Sequence, residues 1–216
     1  MTIQHHPDDS MLEAFAAGTL DLGQHIAVAT HLVSCPQCRG WVRSMEQIGG
    51  AVLMSLPPAP LSSGALARVE ARLNEPCSPA KIETVAAVSE VAIAGLPKFV
   101  RRYPFRDWQW IAPRVHLRPL ALPESSNTRV FLLRSGSGTK MLEHSHTGTE
   151  MTCVLSGAFS HDGGHFGPGD FDLGDKAVDH RVVVDAREDC ICLVAMQGEL
   201  RLNGLLGRLV QPFVRL

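Results

Sequence analysis

The stretch His31-Leu32-Val33-Ser34-Cys35-Pro36-Gln37-Cys38 constrains this chain more than any other. Its pattern is His-x3-Cys-x2-Cys. On a helix, His31 and Cys35 lie one turn apart and share a face. Pro36 suits the first position of a following helix, where its missing N–H would have no partner anyway. Cys35 then stands just before that helix and Cys38 in its first turn. A helix N-terminus favours negative charge, which pushes both thiols towards the thiolate that a metal requires. A structural zinc takes four ligands, and this stretch supplies three. The fourth comes from elsewhere, and His5 or His6 is available before the first helix. His25 precedes His31 by six positions, roughly the opposite side of a helix, and is not expected to be a ligand. A redox pair or two small buried thiols are the plainer readings of Cys-x2-Cys. The histidines at matching spacing favour zinc.

With 216 residues the chain has room for one large domain or two small ones. The net charge of −2 argues against a basic nucleic-acid binder. The opening Met1-Thr2-Ile3-Gln4-His5-His6 has no basic segment followed by an apolar core, so no export signal is expected. The most apolar segments are broken by Pro57 and Pro58 or by Ser89 and Glu90, too short to cross a membrane. Six cysteines without an export signal suggest metal or redox chemistry rather than a disulfide scaffold. The expected compartment is the cytoplasm.

In chain order, Asp8 or Asp9 caps a helix over 8–17 with Met11, Leu12 and Phe15 on one face and Gly18 as its stop. Asp21 caps a second, running to about Ser34, with Ile26, Ala29, Leu32 and Val33 towards a core. A third starts at Pro36 and carries Trp41, Met45, Ile48, Val52 and Leu56 at helical spacing; Gly49-Gly50 is where it would bend or end. Pro57-Pro58-Ala59-Pro60 is a stiff connector. Ser62 or Ser63 then caps a fourth helix with a narrow stripe of Leu66, Val69 and Leu73. That stripe either faces a partner or packs back on the first three helices. Residues 80–97 are rich in Ala and Val without a period and read as a linker. Beyond about residue 100, short β-rich runs at 115–122, 129–134, 151–155, 181–184 and 190–195 alternate with Gly, Pro, Ser and Asp. Their close spacing argues for an all-β sandwich or barrel.

His144-Ser145-His146-Thr147-Gly148-Thr149-Glu150 carries the chemistry of the β half. Strand residues two apart point to one face, so His144 and His146 can grip one ion, and Glu150 returns to that face if the strand resumes after Gly148. Two imidazoles and a carboxylate suit zinc, iron, manganese or nickel. With Gly157 the run matches the first motif of the cupin barrels, His-x-His-x3-Glu-x6-Gly, at every position. Gly167-Pro168-Gly169-Asp170 looks like the Pro-x-Gly turn of the second motif, but Asp172 stands where that family usually places its last His. His180 is assigned as the fourth ligand, with His165 as its rival. His116 and His161 read as surface or loop residues, Cys153 as core, and Cys77 as part of a linker. Alternation puts Cys190 and Cys192 on one strand face, either in packing or beside the metal, where adjacent thiols would suit a redox sensor.

The helical module with its His-x3-Cys-x2-Cys resembles the zinc-binding anti-sigma domain, and its union with a cupin-like half resembles the ChrR-type anti-sigma factors. The likeness covers nearly the whole chain, including Met1-Thr2-Ile3-x-His5-His6, the Ala14-Phe15-Ala16-Ala17-Gly18-Thr19-Leu20 segment and the Asp189-Cys190-Ile191-Cys192-Leu193 run. It implies an α plus β multidomain chain: a helical zinc-binding domain over 1–78, a linker over 79–100 and a cupin jelly-roll barrel over 101–216. It implies that His6, His31, Cys35 and Cys38 hold a structural zinc, and that His144, His146, Glu150 and His180 hold a second metal, also zinc. It implies a 1:1 complex with a group IV (extracytoplasmic-function) sigma factor, kept from RNA polymerase and released on singlet-oxygen-type stress, without catalysis, nucleic acid or membrane. The alternative is a metal-dependent cupin enzyme, a dioxygenase or isomerase, with an accessory zinc module.

Overall fold

The computed structural model describes residues 2–75, 93–141, 144–174 and 181–202. Four helices come first: α1 (Asp9–Ala16), α2 (Leu22–Ser34), α3 (Pro36–Ser55) and α4 (Ala65–Leu73). Their starts follow from local chemistry. The Asp8 carboxylate accepts the Met11 N–H, Asp21 and Gln24 form a capping box on α2, and Pro36 opens α3. One local expectation fails: neither Ser62 nor Ser63 caps α4; its N-cap is Gly64, in the left-handed conformation with no side-chain bond. Of the two readings of α3, the one that carries it past Gly49-Gly50 holds, and the helix runs on to Ser55.

A single 3-10 turn (Val100–Arg102) leads into eleven strands: β1 (Gln109–Ala112), β2 (Val115–Pro119), β3 (Arg129–Ser135), β4 (His144–His146), β5 (Glu150–Ser156), β6 (Phe159–His161), β7 (Gly164–Phe166), β8 (Phe171–Gly174), β9 (Val183–Val184), β10 (Cys190–Met196) and β11 (Leu200–Leu202). They form a six-stranded sheet in the order β1-β2-β3-β10-β5-β8, a three-stranded sheet β7-β6-β9 and a pair β11-β4. All the pairings are antiparallel. The fold is α plus β, with helices first and a cupin-like β region after them.

The central strands of the six-stranded sheet are buried on both faces. Inward, Leu117, Phe131, Val154, Cys190, Cys192, Val194 and Met196 meet Phe159, Phe166, Val182 and Val184 around the three-stranded sheet. Outward, Leu132, Met151, Cys153, Leu155, Leu193 and Ala195 join Met11, Leu12, Ile26, Ala27, Val28 and Leu32 of the helices in a second core. α2 lies across β10 and β5. Burial on both sides explains why β5 and β10 read as continuous apolar runs rather than alternating ones. Ile93 and Leu96, read as linker by composition, and Val100, at the end of the linker that the resemblance implied, are buried in this outer core. Cys77 and the rest of the linker up to residue 92 lie outside the described residues.

The helices divide at the middle of α3. In its first half Cys38 and Val42 are buried, while Ile48, Val52, Leu53, Met54 and Leu56 are exposed. α4 buries nothing, so its stripe does not pack back on the other helices. Val33, expected towards the core, is exposed as well.

Candidate metal centre and its neighbours

His6, His31, Cys35 and Cys38 converge. One ligand atom from each lies within 4.8 Å of all the others. Three different pieces of chain bring them there: the segment before α1, the last turn of α2, and the α2–α3 junction. Cys35 is both the C-cap of α2 and the N-cap of α3, and its sulphur faces the Cys38 N–H at 3.4 Å. His31 Nε2 stands 3.3 Å from Cys38 Sγ. His6 Nδ1 stands 3.4 Å from Cys35 Sγ and 3.3 Å from Cys38 Sγ. Tetrahedral bonds of about 2.0–2.3 Å put neighbouring ligand atoms about 3.3–3.8 Å apart, so this donor set fits a four-coordinate ion. Among the described residues it is the one such cluster.

Burial pushes the Cys38 thiol up to about 12, and the hydrogen bond and charge of Cys35 add to the rise. At Cys38 the helix N-terminus therefore does not by itself lower the thiol, contrary to the expectation from sequence: desolvation wins. A bound cation is what would make two adjacent thiolates favourable. His31 is fully buried, and burial pulls its imidazole down to about 4, leaving it neutral at ordinary pH. Its Nδ1 lies 2.8 Å from the Gly169 carbonyl. A carbonyl only accepts, so Nδ1 carries the proton and the Nε2 lone pair is left for the ion.

His5 and His25 have other places. The His5 ring stacks on Phe166 with centroids 4.1 Å apart, and His25 stacks on Phe15 at 4.3 Å. The choice between His5 and His6 is made by a residue that sequence reasoning passed over. The buried Asp170 carboxylate accepts the backbone N–H of Gln4 at 2.7 Å and of His5 at 3.0 Å through one oxygen, and the Gly167 N–H at 2.8 Å through the other. Phe171 N–H donates to the His5 carbonyl at 3.1 Å. The segment is thereby laid along the β half with His5 turned to Phe166 and His6 to the cysteines.

The second group of histidines sits at the other side of the sheet. His144 is buried at the start of β4, with His146 two places on in the same strand. Glu150 opens β5. Burial pushes its carboxyl up and the charge of Asp172 adds to this, while His144 and a hydrogen bond from Thr152 oppose it. Thr152 pairs with Asp172 across β5 and β8. Asp172 in turn holds His161 Nε2 at 3.0 Å, and this bond raises the imidazole above its usual value. His161 is thus no surface or loop histidine; its side chain is mostly buried. The rival His165 bonds Asp185 at an exposed position. His180 lies outside the described residues. Cys190 and Cys192 are both buried, with sulphurs 3.6 Å apart and no disulfide. Their contact, with burial, pushes the Cys192 thiol well up, and Cys153 and Glu150 add to this.

The family model described as the ChrR cupin-like domain matches residues 99–199. The anti-sigma-E factor ChrR of Cereibacter sphaeroides is 36% identical over 219 residues, covering 100% of both chains. The chain belongs to the ChrR family of anti-sigma factors. It is therefore one of a family of regulators rather than enzymes, which sets aside the cupin-enzyme alternative. A crystal structure of Rhodobacter sphaeroides SigE in complex with the anti-sigma ChrR superposes with a TM-score of 0.73 at 33% identity, covering 91% of this chain and 100% of that one. No helix among the described residues is long and apolar enough to cross a membrane.

Proposed function

We propose that this ChrR-family protein binds a group IV sigma factor one to one in the cytoplasm, keeps it from RNA polymerase, and releases it on an oxidative, singlet-oxygen-type signal. The observation that carries this reading is the pair of bare apolar stripes, one on the second half of α3 and one on α4. Leu66, Val69 and Leu73 recur on α4 at helical spacing and are all exposed. Ile48, Val52 and Leu56 recur at the same kind of spacing along the second half of α3 and its end and are exposed as well, so each helix leaves an apolar stripe uncovered. The proline-rich connector between the two helices lets them take a partner from two sides. The relative solved with SigE supports a sigma factor as that partner.

His6, His31, Cys35 and Cys38 would hold zinc, which makes the thiolates favourable and ties α2, α3 and the leading segment together. Short helices around a small core gain much from such a tie, on the order of ten kcal/mol for structural zinc. His144, His146, Glu150 and His180 would hold a second divalent ion, zinc or otherwise iron, manganese or nickel, as part of the sensing half. In this reading residues 1–78 are the anti-sigma part, 79–100 connect, and 101–216 form the sensor; inhibition is by occlusion and involves no nucleic acid.

The full-length chain should form a 1:1 complex with a group IV sigma factor of its own genome and block sigma-dependent transcription in vitro. Lack of affinity for every such factor ends the reading. Cys38→Ala should lose metal from the first site and inhibition together; inhibition kept without metal contradicts the structural role.

A further inference from the structure

The metal cluster is not framed by helices alone. The Gly169 carbonyl fixes His31, the Asp170 carboxylate holds the backbone that carries His6, and both belong to the turn at 167–171 between β7 and β8. Gly169 has φ +92°, a conformation that favours glycine, and a Cβ there would meet Ile3 Cδ1 at 2.9 Å and Ser34 Cβ at 3.2 Å. The turn is therefore clasped between the leading segment and the end of α2. We propose that Asp170 is a positioning residue of the metal centre, and that ion retention and docking of the helices on the β half are one linked equilibrium. This rests on reading His6, His31, Cys35 and Cys38 as metal ligands.

The physical basis is reciprocity. If docking raises the affinity for the ion by some factor, the ion raises the docking constant by the same factor. The two ligand rings depend on the turn in different ways. His31 keeps its useful tautomer only while the Gly169 carbonyl is in place, and His6 keeps its position only while the Gln4 and His5 N–H groups are held. The Asp170 carboxylate is buried and accepts three backbone N–H groups, two of them from the leading segment. Pulling the β half away would strand it and free the leading segment at once. An event that displaces the sensor half is then felt directly at the ion, without any movement passing down the linker.

Cobalt loading of the full-length chain gives the test. Thiolate-to-cobalt charge-transfer absorption reports on the His6, His31, Cys35 and Cys38 cluster, since the donors proposed for the β half are imidazole and carboxylate, and a Cys190→Ser, Cys192→Ser background removes the two other paired thiols. Asp170→Asn and Gln4→Pro should each speed loss of that absorption into excess EDTA, on the order of 10- to 100-fold. Gln4→Pro deletes one N–H on an exposed residue and leaves the β half untouched, so its effect cannot come from a misfolded sheet. Wild-type release rates in both variants overturn the proposal. In the reverse direction, stripping the ion should cost the Phe171 amide its hydrogen-exchange protection, because its acceptor is the His5 carbonyl. The Gly169 amide, bonded to Val154 within the β half, should keep its own. Unchanged protection of Phe171 in the stripped chain also overturns the linkage. A wild-type chain that never develops the thiolate band would instead sink the metal reading itself, and the two failures are told apart on the first spectrum.

Discussion

α2 and α4 are both amphipathic helices in the first third of the chain, and they end up in opposite surroundings. α2 hides Ile26, Ala27 and Val28 against β5 and β10, and its N-cap Asp21 also bonds Ser126 and Asn127 of the β half. α4 hides nothing; Leu66 is 70% and Leu73 79% exposed. Its N-cap is a glycine with no side-chain bond. The apolar residues of α2 stabilise this chain, while those of α4 are the ones proposed above to meet the sigma factor. On that reading the same sequence pattern serves folding in one helix and association in the other.

The largest effect that separates them is in the core. Ile26 is 1% exposed, and Ile26→Ala should destabilise the protein by about 2–5 kcal/mol, read as a lower denaturant midpoint. Leu66→Ala should change that midpoint by less than about 0.5 kcal/mol, as an exposed substitution does. It should weaken sigma-factor binding on the order of 10-fold or more, read by calorimetry or surface binding, as the loss of an anchor residue at an interface does. A Leu66→Ala protein that unfolds as readily as Ile26→Ala would mean that α4 has a partner within its own chain and the contrast fails. Binding that does not change would move the docking face off α4.

The contrast was half legible in the sequence. Asp8, Asp21 and Pro36 announce their helices, because caps act within one turn. The spacing of His31, Cys35 and Cys38 announces their meeting for the same reason. The stripe of α4 was visible, but not its exposure, because periodicity says which residues share a face and not what covers them. His6 could not be chosen over His5, since the segment has no regular structure to give it a phase. Its phase comes from Asp170, more than 160 residues further on. The outer core was hidden likewise: Ile93, Leu96 and Val100 lie beside an Ala- and Val-rich stretch with no period. Continuous apolar runs in β5 and β10 were the available signal that this sheet is covered on both faces. Strands of two to four residues such as β6, β7, β8 and β9 are too short to show alternation, so the His161–Asp172 pair across two of them went unseen.

The smallest effect sharpens the contrast at the caps. Burial pushes the Asp21 carboxyl up, but hydrogen bonds from Thr128, Asn127, Gly23 and Ser126 outweigh it and hold the group below its ordinary value. A depressed folded value means that the unfolded chain binds the proton more readily. The contribution is therefore fully present above the ordinary carboxylate value and is lost as pH falls through the folded one. Asp21 is mostly solvated, so the effect is modest. Asp21→Asn should flatten the acid limb of the stability curve relative to wild type. The difference between the two proteins isolates this group, because acid would release an ion held by the cysteine cluster from both alike. α4 has no carboxylate at its cap, so sigma-factor affinity measured with metal-replete protein above that limb should be the same in Asp21→Asn and wild type. An affinity that falls with the cap of α2 would show that docking of α2 and capture by α4 are coupled, and the two helices would no longer be separable.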